Sequence, residues 1–396
     1  MTTALRRIIP LLAILSLLAG CATTMEGPGT PPLPRDMARR PGGQPATAWP
    51  GNLDEAEARA RIGKLLPAGV KDKAGWSADL HAAFVHLKIP HAAETYCTVV
   101  AVTEQESTFQ VDPVVPGLPD IVRRELERRA DKYGVPMLLV SAALLKTSPN
   151  GRDYGQRIDA LKTEKQLDAL FDDMIGELPF GRQLLADYNP VHTAGPMQVS
   201  IDFAERHARE KPYPYPVEKT LRDEVFTRRG GLYFGSAILL DYPAPYDEVL
   251  FRFADFNAGR YSGRNAAFQA ALGRIAGKTL ALDGDLLRYE SGKPADAAGE
   301  VEATLRTLSH PLLMSPTEIR RDLLLEKTSA FGLSPLFGRV FALADKKAGA
   351  PMPRQVMPHI RLNSPKITRK LTTEWFAKRV EERYRNCLAR ADGAAK

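Results

Sequence analysis

The chain has 396 residues, of which 44% are hydrophobic and 26% are charged. These proportions are typical of a folded globular protein and exclude a disordered or multispanning chain. The formal net charge of +7 is too small to indicate nucleic-acid binding by itself. Three cysteines without C-x-x-C spacing exclude a disulfide-rich scaffold and a zinc ribbon.

The first twenty residues have the pattern of a secretory signal. Arg6 and Arg7 give a positive start, and an apolar run of eleven residues follows over 8–18. Such a run is too short to cross a bilayer core, which needs about 20 residues. Residues 1–20 are therefore predicted to be a cleaved signal peptide and not an anchor helix.

The tetrad at 18–21, Leu-Ala-Gly-Cys, resembles the lipobox of bacterial lipoproteins. The resemblance implies cleavage before Cys21 and acylation of that residue, and several acyl chains would hold the protein stably in a membrane. Ala22 directly after the cysteine implies the outer membrane, with the protein facing the periplasm. The alternative is an ordinary signal peptide that happens to have a cysteine nearby.

Residues 21–51 are predicted to be a tether between this anchor and the folded part. The stretch from 22 to 51 holds seven prolines and five glycines and almost no aliphatic side chains. A segment of this composition has little to bury and favours an extended, semi-stiff conformation.

From residue 52 onward the apolar residues follow helical spacing, which predicts an all-α protein. The stretch 95–103 is rich in Val and Thr and could form a strand, but its length and its position after Pro90 favour a helix. Further helices are predicted to begin at Asn52, Thr163 and Ser315, the last with a capping box. The other predicted helices cover 78–88, 91–107, 119–133, 221–242, 246–256 and 371–391.

Two cysteines remain in the mature chain, Cys97 and Cys387. In an oxidising compartment they could form a disulfide, which would join the C-terminal helix to the helix at 91–107. The alternative is two separate buried thiols.

Glu106 is the candidate catalytic acid. It follows Val99 and Val102 at helical spacing, so the three side chains share one face, whereas Glu104 is predicted to face solvent. Burial and the negative end of the helix dipole both favour the protonated form of a carboxyl group at this place, as a general acid requires. The alternative is a helix-end glutamate paired with an arginine.

Three motifs around these residues resemble those of the soluble lytic transglycosylases, which are lysozyme-like murein-cleaving enzymes. The segment 102–109, Val-Thr-Glu-Gln-Glu-Ser-Thr-Phe, resembles their Glu-Ser signature. The segment 195–198, Gly-Pro-Met-Gln, is similar to their Gly-Leu-Met-Gln turn, and 255–259, Asp-Phe-Asn-Ala-Gly, to their Ala-Tyr-Asn-Ala-Gly motif. The order matches the family, and the resemblance covers roughly residues 90–275.

The sequence also departs from this family. Pro196 replaces the leucine of the turn, Phe256 replaces a tyrosine, and Asp255 replaces a small residue. Glu106 and Gln198 lie 92 positions apart, which predicts a helical insertion at about 110–190. The expected organisation is a lysozyme-like domain at 52–280 and a helical C-terminal extension at 281–396.

The resemblance implies cleavage of the β-1,4 bond between N-acetylmuramic acid and N-acetylglucosamine, with Glu106 as the single acid and base and 1,6-anhydro products. Hydrolases use two carboxylates, and no second one stands out, since Asp202 and Asp255 are better interpreted as helix caps or solvated residues. The implied partners are peptidoglycan glycan strands. The positions implied to bind substrate are Ser107, Gly195, Met197, Gln198, Phe256 and Asn257, although Met197 has an alternative role in core packing.

The remaining patterns have simpler interpretations. His81, His86 and His91 are five residues apart and do not share a helical face, so no metal site is predicted, and no cofactor motif is present. Arginines at 123–124 and 128–129 form a basic stripe that is either a solvated face or a contact for anionic peptides or lipid headgroups. The alternatives to an enzyme are a non-catalytic murein-binding module and a scaffolding lipoprotein of the outer membrane.

Overall fold

A computed structural model describes residues 32–40, 43, 45–290, 292–362 and 370–393. The predicted signal peptide and the lipidation candidate Cys21 lie outside these residues. Within the described part the protein is helical, which confirms the all-α prediction. None of the described helices is long and apolar enough to span a bilayer.

The helices of the first half include those that carry the predicted motifs. They are α1 (Glu55–Leu65), α2 (Lys73–Leu87), α3 (Ala93–Ser107), α4 (Leu118–Lys132), α5 (Met137–Leu144), α6 (Tyr154–Asp159), α7 (Glu164–Gly176), α8 (Gly181–Leu185), α9 (Ile201–Glu210), α10 (Leu221–Val225), α11 (Arg228–Leu240) and α12 (Val249–Ala258).

The second half continues with α13 (Ser262–Ala276), α14 (Glu300–Thr307), α15 (Ser309–Leu312), α16 (Pro316–Leu323), α17 (Pro335–Ala348) and α18 (Thr373–Ala391). Short 3-10 helices cover Arg35–Met37, Ala186–Tyr188 and Ser329–Leu333. In the described residues, three antiparallel pairs of two-residue strands join loops: β1 (Thr193–Ala194) with β2 (Val199–Ser200), β3 (Tyr289–Glu290) with β4 (Lys293–Pro294), and β5 (Arg361–Leu362) with β6 (Leu371–Thr372).

Polar caps explain where several helices begin. Ser315 and Glu318 form the predicted capping box at α16. Asp72 accepts a hydrogen bond from the Gly75 amide, so α2 begins five residues before the predicted start. The predicted helix at 221–242 is divided in two, because the Thr227 hydroxyl caps α11 by accepting from the Gly230 amide.

Helix α3 is the centre of the main hydrophobic core. Every residue from 93 to 103 is buried, and α3 packs against α18, α11 and α1. A disulfide joins Cys97 of α3 to Cys387 of α18, with Cα atoms 5.5 Å apart. The last helix of the chain is therefore bonded to the central one.

A second core forms from α13, α14, α16 and α17, with Phe268, Phe331 and Phe341 at its centre. Helix α18 does not belong to this core, because its buried side chains Phe376, Val380 and Tyr384 pack in the first one. The chain thus leaves the first core after α12 and returns to it through Met357, Leu362 and α18. This arrangement differs from a single extension over 281–396.

The described part of the predicted tether packs against the main core. Met37 is fully buried, and Trp49 stacks on Tyr96 with ring centroids 5.1 Å apart. Asp36 forms a fully buried ion pair with Arg252 of α12, at 2.6 Å. Because these side chains pack against the core, residues 34–40 and 45–51 differ from the extended tether that the proline and glycine count predicted.

Candidate functional site

Glu106 lies in the last turn of α3 and is half-buried. Helix α3 ends directly beyond it, where Thr108 and Phe109 have positive φ values of 50° and 59°. The buried Phe109 ring meets Trp76 edge to face, with centroids 5.1 Å apart. The carboxyl group is thus held at the C-terminal end of the most deeply buried helix, on a backbone that turns sharply after it.

Two neighbours of Glu106 are engaged by the helices around them. The Ser107 hydroxyl donates to the Thr103 carbonyl oxygen at 3.1 Å, and Ser107 is buried. The prediction that Glu104 faces solvent is wrong. Its side chain is 26% exposed and lies 3.9 Å from Arg383, because α18 covers that side of α3.

The turn at 195–198 packs closely against its neighbours, because glycines at three positions have no side chain that would overlap the adjoining atoms. Gly195 has a φ of +72°, and a Cβ atom there would overlap the Val225 carbonyl oxygen. Gly231 and Gly235 leave room for Pro196 and Met197. Met197 is fully buried and Gly195 is also buried, which fits the core-packing alternative for Met197, and a substrate contact of these two residues stays a prediction.

The side-chain amide of Gln198 forms hydrogen bonds with residues of this turn and of the strand before it. Its backbone has a positive φ of 50°, its Nε2 donates to the Gly195 carbonyl at 3.3 Å, and its Oε1 accepts from the Thr193 hydroxyl at 3.1 Å. The side chain remains half-buried. A substrate group that bound this amide would have to compete with these two contacts.

Phe256 and Asn257 lie at the end of α12 and contact the first turn of α18. The Phe256 ring is parallel to that of Phe376, with centroids 6.4 Å apart. The Asn257 Oδ1 accepts from the Thr373 hydroxyl at 2.8 Å. Part of the surface that the resemblance assigns to substrate is therefore covered by the C-terminal helix.

Asp255, directly before these two residues, is a buried cap of α13. It accepts from the hydroxyls of Tyr246 and Ser262 and from the backbone amides of Tyr261 and Gly263, at 2.6–3.1 Å. Burial raises the pKa of this carboxyl above its ordinary value. Its donors hold it in place, so it serves the fold and is not available as a second catalytic carboxylate.

A cleft of about 640 Å³ lies beside the motifs at 195–198 and 255–259, between α9, the end of α11, the α12–α13 turn and residues 327–329. Ser200, Ala258 and Gly259 line it, and they are close neighbours in sequence of Gln198 and Asn257. Among the described residues that line the cleft, Glu106, Gln198 and Asn257 are absent. The structure therefore does not place the three motif residues together in this cleft.

Sequence reasoning missed the two most informative side chains of the cleft. Arg260 lies between the rings of Phe203 and Tyr242, 5.1 and 4.7 Å from their centroids, and it donates to the carbonyl oxygens of Ala237 and Ile238 at the end of α11. His207 is 6% exposed, its Nε2 has no hydrogen-bond partner in the described part of the chain, and burial lowers its pKa.

The position of Arg260 directly after the motif at 255–259 was the available signal for that residue. His207 gave none, because a histidine in an amphipathic helix is common. No group of three or more His, Cys, Asp or Glu side chains within the described ranges is arranged to hold a metal ion.

Comparison with known proteins places most of the chain in one family. Residues 69–390 match the family described as "Protein of unknown function (DUF1615)". The "Uncharacterized protein YaiW" of Escherichia coli (strain K12) is 49% identical over 327 residues, which cover 83% of this chain and 88% of that protein. No solved structure matches the chain significantly.

Proposed function

The chain belongs to the DUF1615 family, and we propose that it is a peptidoglycan lytic transglycosylase with Glu106 as the acid and base. The observation that carries the proposal is the position of Glu106, half-buried in the last turn of the buried helix α3. The motif resemblance assigns the acid to this residue, and α3 holds its carboxyl group at the end of a buried helix.

Contacts with other helices hold the element that carries Glu106 in place. The disulfide from Cys97 to Cys387 and the packing of α18 hold α3 in position. A general acid on such a rigid element keeps its geometry relative to a bound sugar.

The proposed reaction needs one carboxyl group. Glu106 donates its proton to the glycosidic oxygen as the bond from that oxygen to C1 of the muramoyl sugar breaks. The resulting carboxylate then accepts the proton of the C6 hydroxyl of the same sugar, whose oxygen bonds to C1. Glu106 ends protonated as it began, and no water is consumed, in contrast to two-carboxylate hydrolysis.

The cleft beside the motifs at 195–198 and 255–259 is the proposed place for a part of the glycan strand away from the bond that is cleaved, since Glu106 does not line it. Its volume of about 640 Å³ lies within the usual range for small-molecule sites. Phe203, Tyr242 and Tyr261 give it apolar surface, and Arg206 and Lys327 give it exposed donors.

Binding without cleavage is the second candidate function, and specific contacts favour it. The amide oxygens of Gln198 and Asn257 already accept hydrogen bonds, and Phe256 packs on Phe376 where the transglycosylases have a tyrosine. In that case the chain would be a murein-binding or scaffolding lipoprotein. The location that we propose is the same for both functions: the outer membrane, facing the periplasm, with acylated Cys21 as the anchor.

Purified sacculi distinguish these functions. We expect wild-type protein to release muropeptides with 1,6-anhydro ends and Glu106→Gln to release none while still pelleting with sacculi. Glu104→Gln is the matched control, since it makes the same change two residues earlier on α3, and it should keep activity. Pelleting of the wild type without release would indicate a binding module, and products with reducing ends would indicate a hydrolase.

A further inference from the structure

An apolar surface is exposed on the part of the chain between α3 and α9. Helix α5 has the sequence Met-Leu-Leu-Val-Ser-Ala-Ala-Leu, and none of its residues is buried. Leu138 is 79% exposed, and Leu145, just after the helix, is 74% exposed. Tyr133 and Val135 before α5 are also exposed. These four residues and Leu139 are called the α5 surface below.

A second exposed apolar group adjoins the α5 surface. Lys146 and Glu177 form an ion pair, which brings together the two segments that carry Leu145 and Leu178. Leu178 is followed by Phe180, which is 75% exposed, and Leu184, which is 69% exposed. Patches of this kind are rarely left in water by a soluble monomer and mark an interaction site.

We propose that the α5 surface inserts into the headgroup region of an anionic lipid bilayer. Residues 118–153, which contain α4 and α5, carry seven Lys or Arg and five Asp or Glu side chains, a local net charge of +2. Leucines with basic residues and tyrosine at the rim are the composition of helices that lie in a membrane interface. The Lys132 amine lies over the Tyr133 ring at 5.4 Å, at the edge of this surface.

The shape of α5 specifies how it meets the membrane. Eight residues of helix span about 12 Å, far less than the bilayer core of about 30 Å, so α5 lies within one leaflet. Leu138, Leu139 and Ala142 lie within about 100° of one another on the exposed face of the helix, and the half-buried Met137, Val140 and Leu144 lie on the opposite face. A helix that lies in the membrane interface presents one apolar face of this kind to lipid.

A second copy of the chain fits this surface less well. A twofold interface would place the α5 surface against itself, and the basic segments of the two copies, each with a net charge of +2 over 118–153, would then face each other and repel. A membrane is also within reach of the folded part. Eleven residues follow Cys21 up to Pro32, and a chain of that length spans at most about 40 Å. Acylation of Cys21 would therefore keep the folded part near the bilayer.

Vesicle sedimentation tests the proposal without the acyl anchor or the sacculus activity. The mature chain with Cys21→Ser is mixed with vesicles of phosphatidylcholine alone or of phosphatidylcholine with phosphatidylglycerol. We expect pelleting with the mixed vesicles and weaker pelleting with the neutral ones. Leu138→Asp with Leu139→Asp should reduce binding by about tenfold or more, because two leucines would no longer be buried in lipid.

Leu324→Asp with Leu333→Asp is the matched control, since these leucines are 52% and 89% exposed and lie near α16 and α17. It should pellet like the wild type, and circular dichroism should show that both variants are folded. Equal binding of the two double variants, or no pelleting of the wild type, would overturn the proposal. The proposal would also be overturned if the wild type formed a dimer and did not bind vesicles, and if Leu138→Asp with Leu139→Asp dissociated that dimer.

Discussion

Removal of the disulfide should lower the free energy of unfolding substantially. Cys97 and Cys387 are 290 residues apart, so their bond closes a loop of nearly the whole folded chain. A loop of about 290 residues corresponds to about 6 kcal/mol of lost chain entropy in the unfolded state, and measured losses for native disulfides are typically about 2–5 kcal/mol. We expect a loss in the measured range for Cys97→Ala with Cys387→Ala.

Urea unfolding followed by circular dichroism measures this loss. Reductant provides the internal control, because it should destabilise the wild type by a similar amount and leave the double variant unchanged. Thiol titration of the unfolded, unreduced protein should find neither Cys97 nor Cys387 free. Two reactive thiols, together with a urea midpoint that reductant does not change, would refute the disulfide between α3 and α18.

Two further predictions concern buried charge and pH. Asp36→Ala leaves Arg252 buried without its carboxylate, so we expect a loss of about 3–5 kcal/mol in urea unfolding, whereas an unchanged midpoint would show that residues 35–37 do not pack on α12. Burial lowers the pKa of His207 below its ordinary value of 6.5, so its contribution to stability is present above pH 6.5 and is lost as the pH falls. Melting temperatures from pH 7.5 to 5 should therefore fall less in His207→Phe than in the wild type, and identical slopes would contradict the burial of this imidazole.

The helices that the sequence predicted well are those whose signals are local. Apolar spacing gave α3 and α18 to within two residues, and Ser315 with Glu318 marked the start of α16. The division of 221–242 into α10 and α11 was missed, because Thr227 acts as a cap only when the chain before it turns away. Helical spacing on both sides of that residue hides the break.

The parts of the site that could not be predicted depend on contacts distant in sequence. Glu104 is covered by α18, which comes about 280 residues later in the chain. Nothing in the local sequence indicates that Asn257 accepts a hydrogen bond from the Thr373 hydroxyl. The composition of residues 22–51 predicted a tether. It could not show that Asp36 pairs with Arg252 or that Trp49 stacks on Tyr96, because those partners are distant in sequence. Local sequence patterns thus predicted the place of Glu106 on its helix, but they could not predict which distant residues surround it.

The most direct test of the proposed function is a digestion of sacculi in water enriched in heavy oxygen, followed by mass spectrometry of the released muropeptides. We expect products that are lighter by one water than hydrolysis products and carry no label, and we expect no products from Glu106→Gln. Labelled reducing ends, or equal release by Glu106→Gln, would contradict the role of Glu106 as the single acid and base of a transglycosylase.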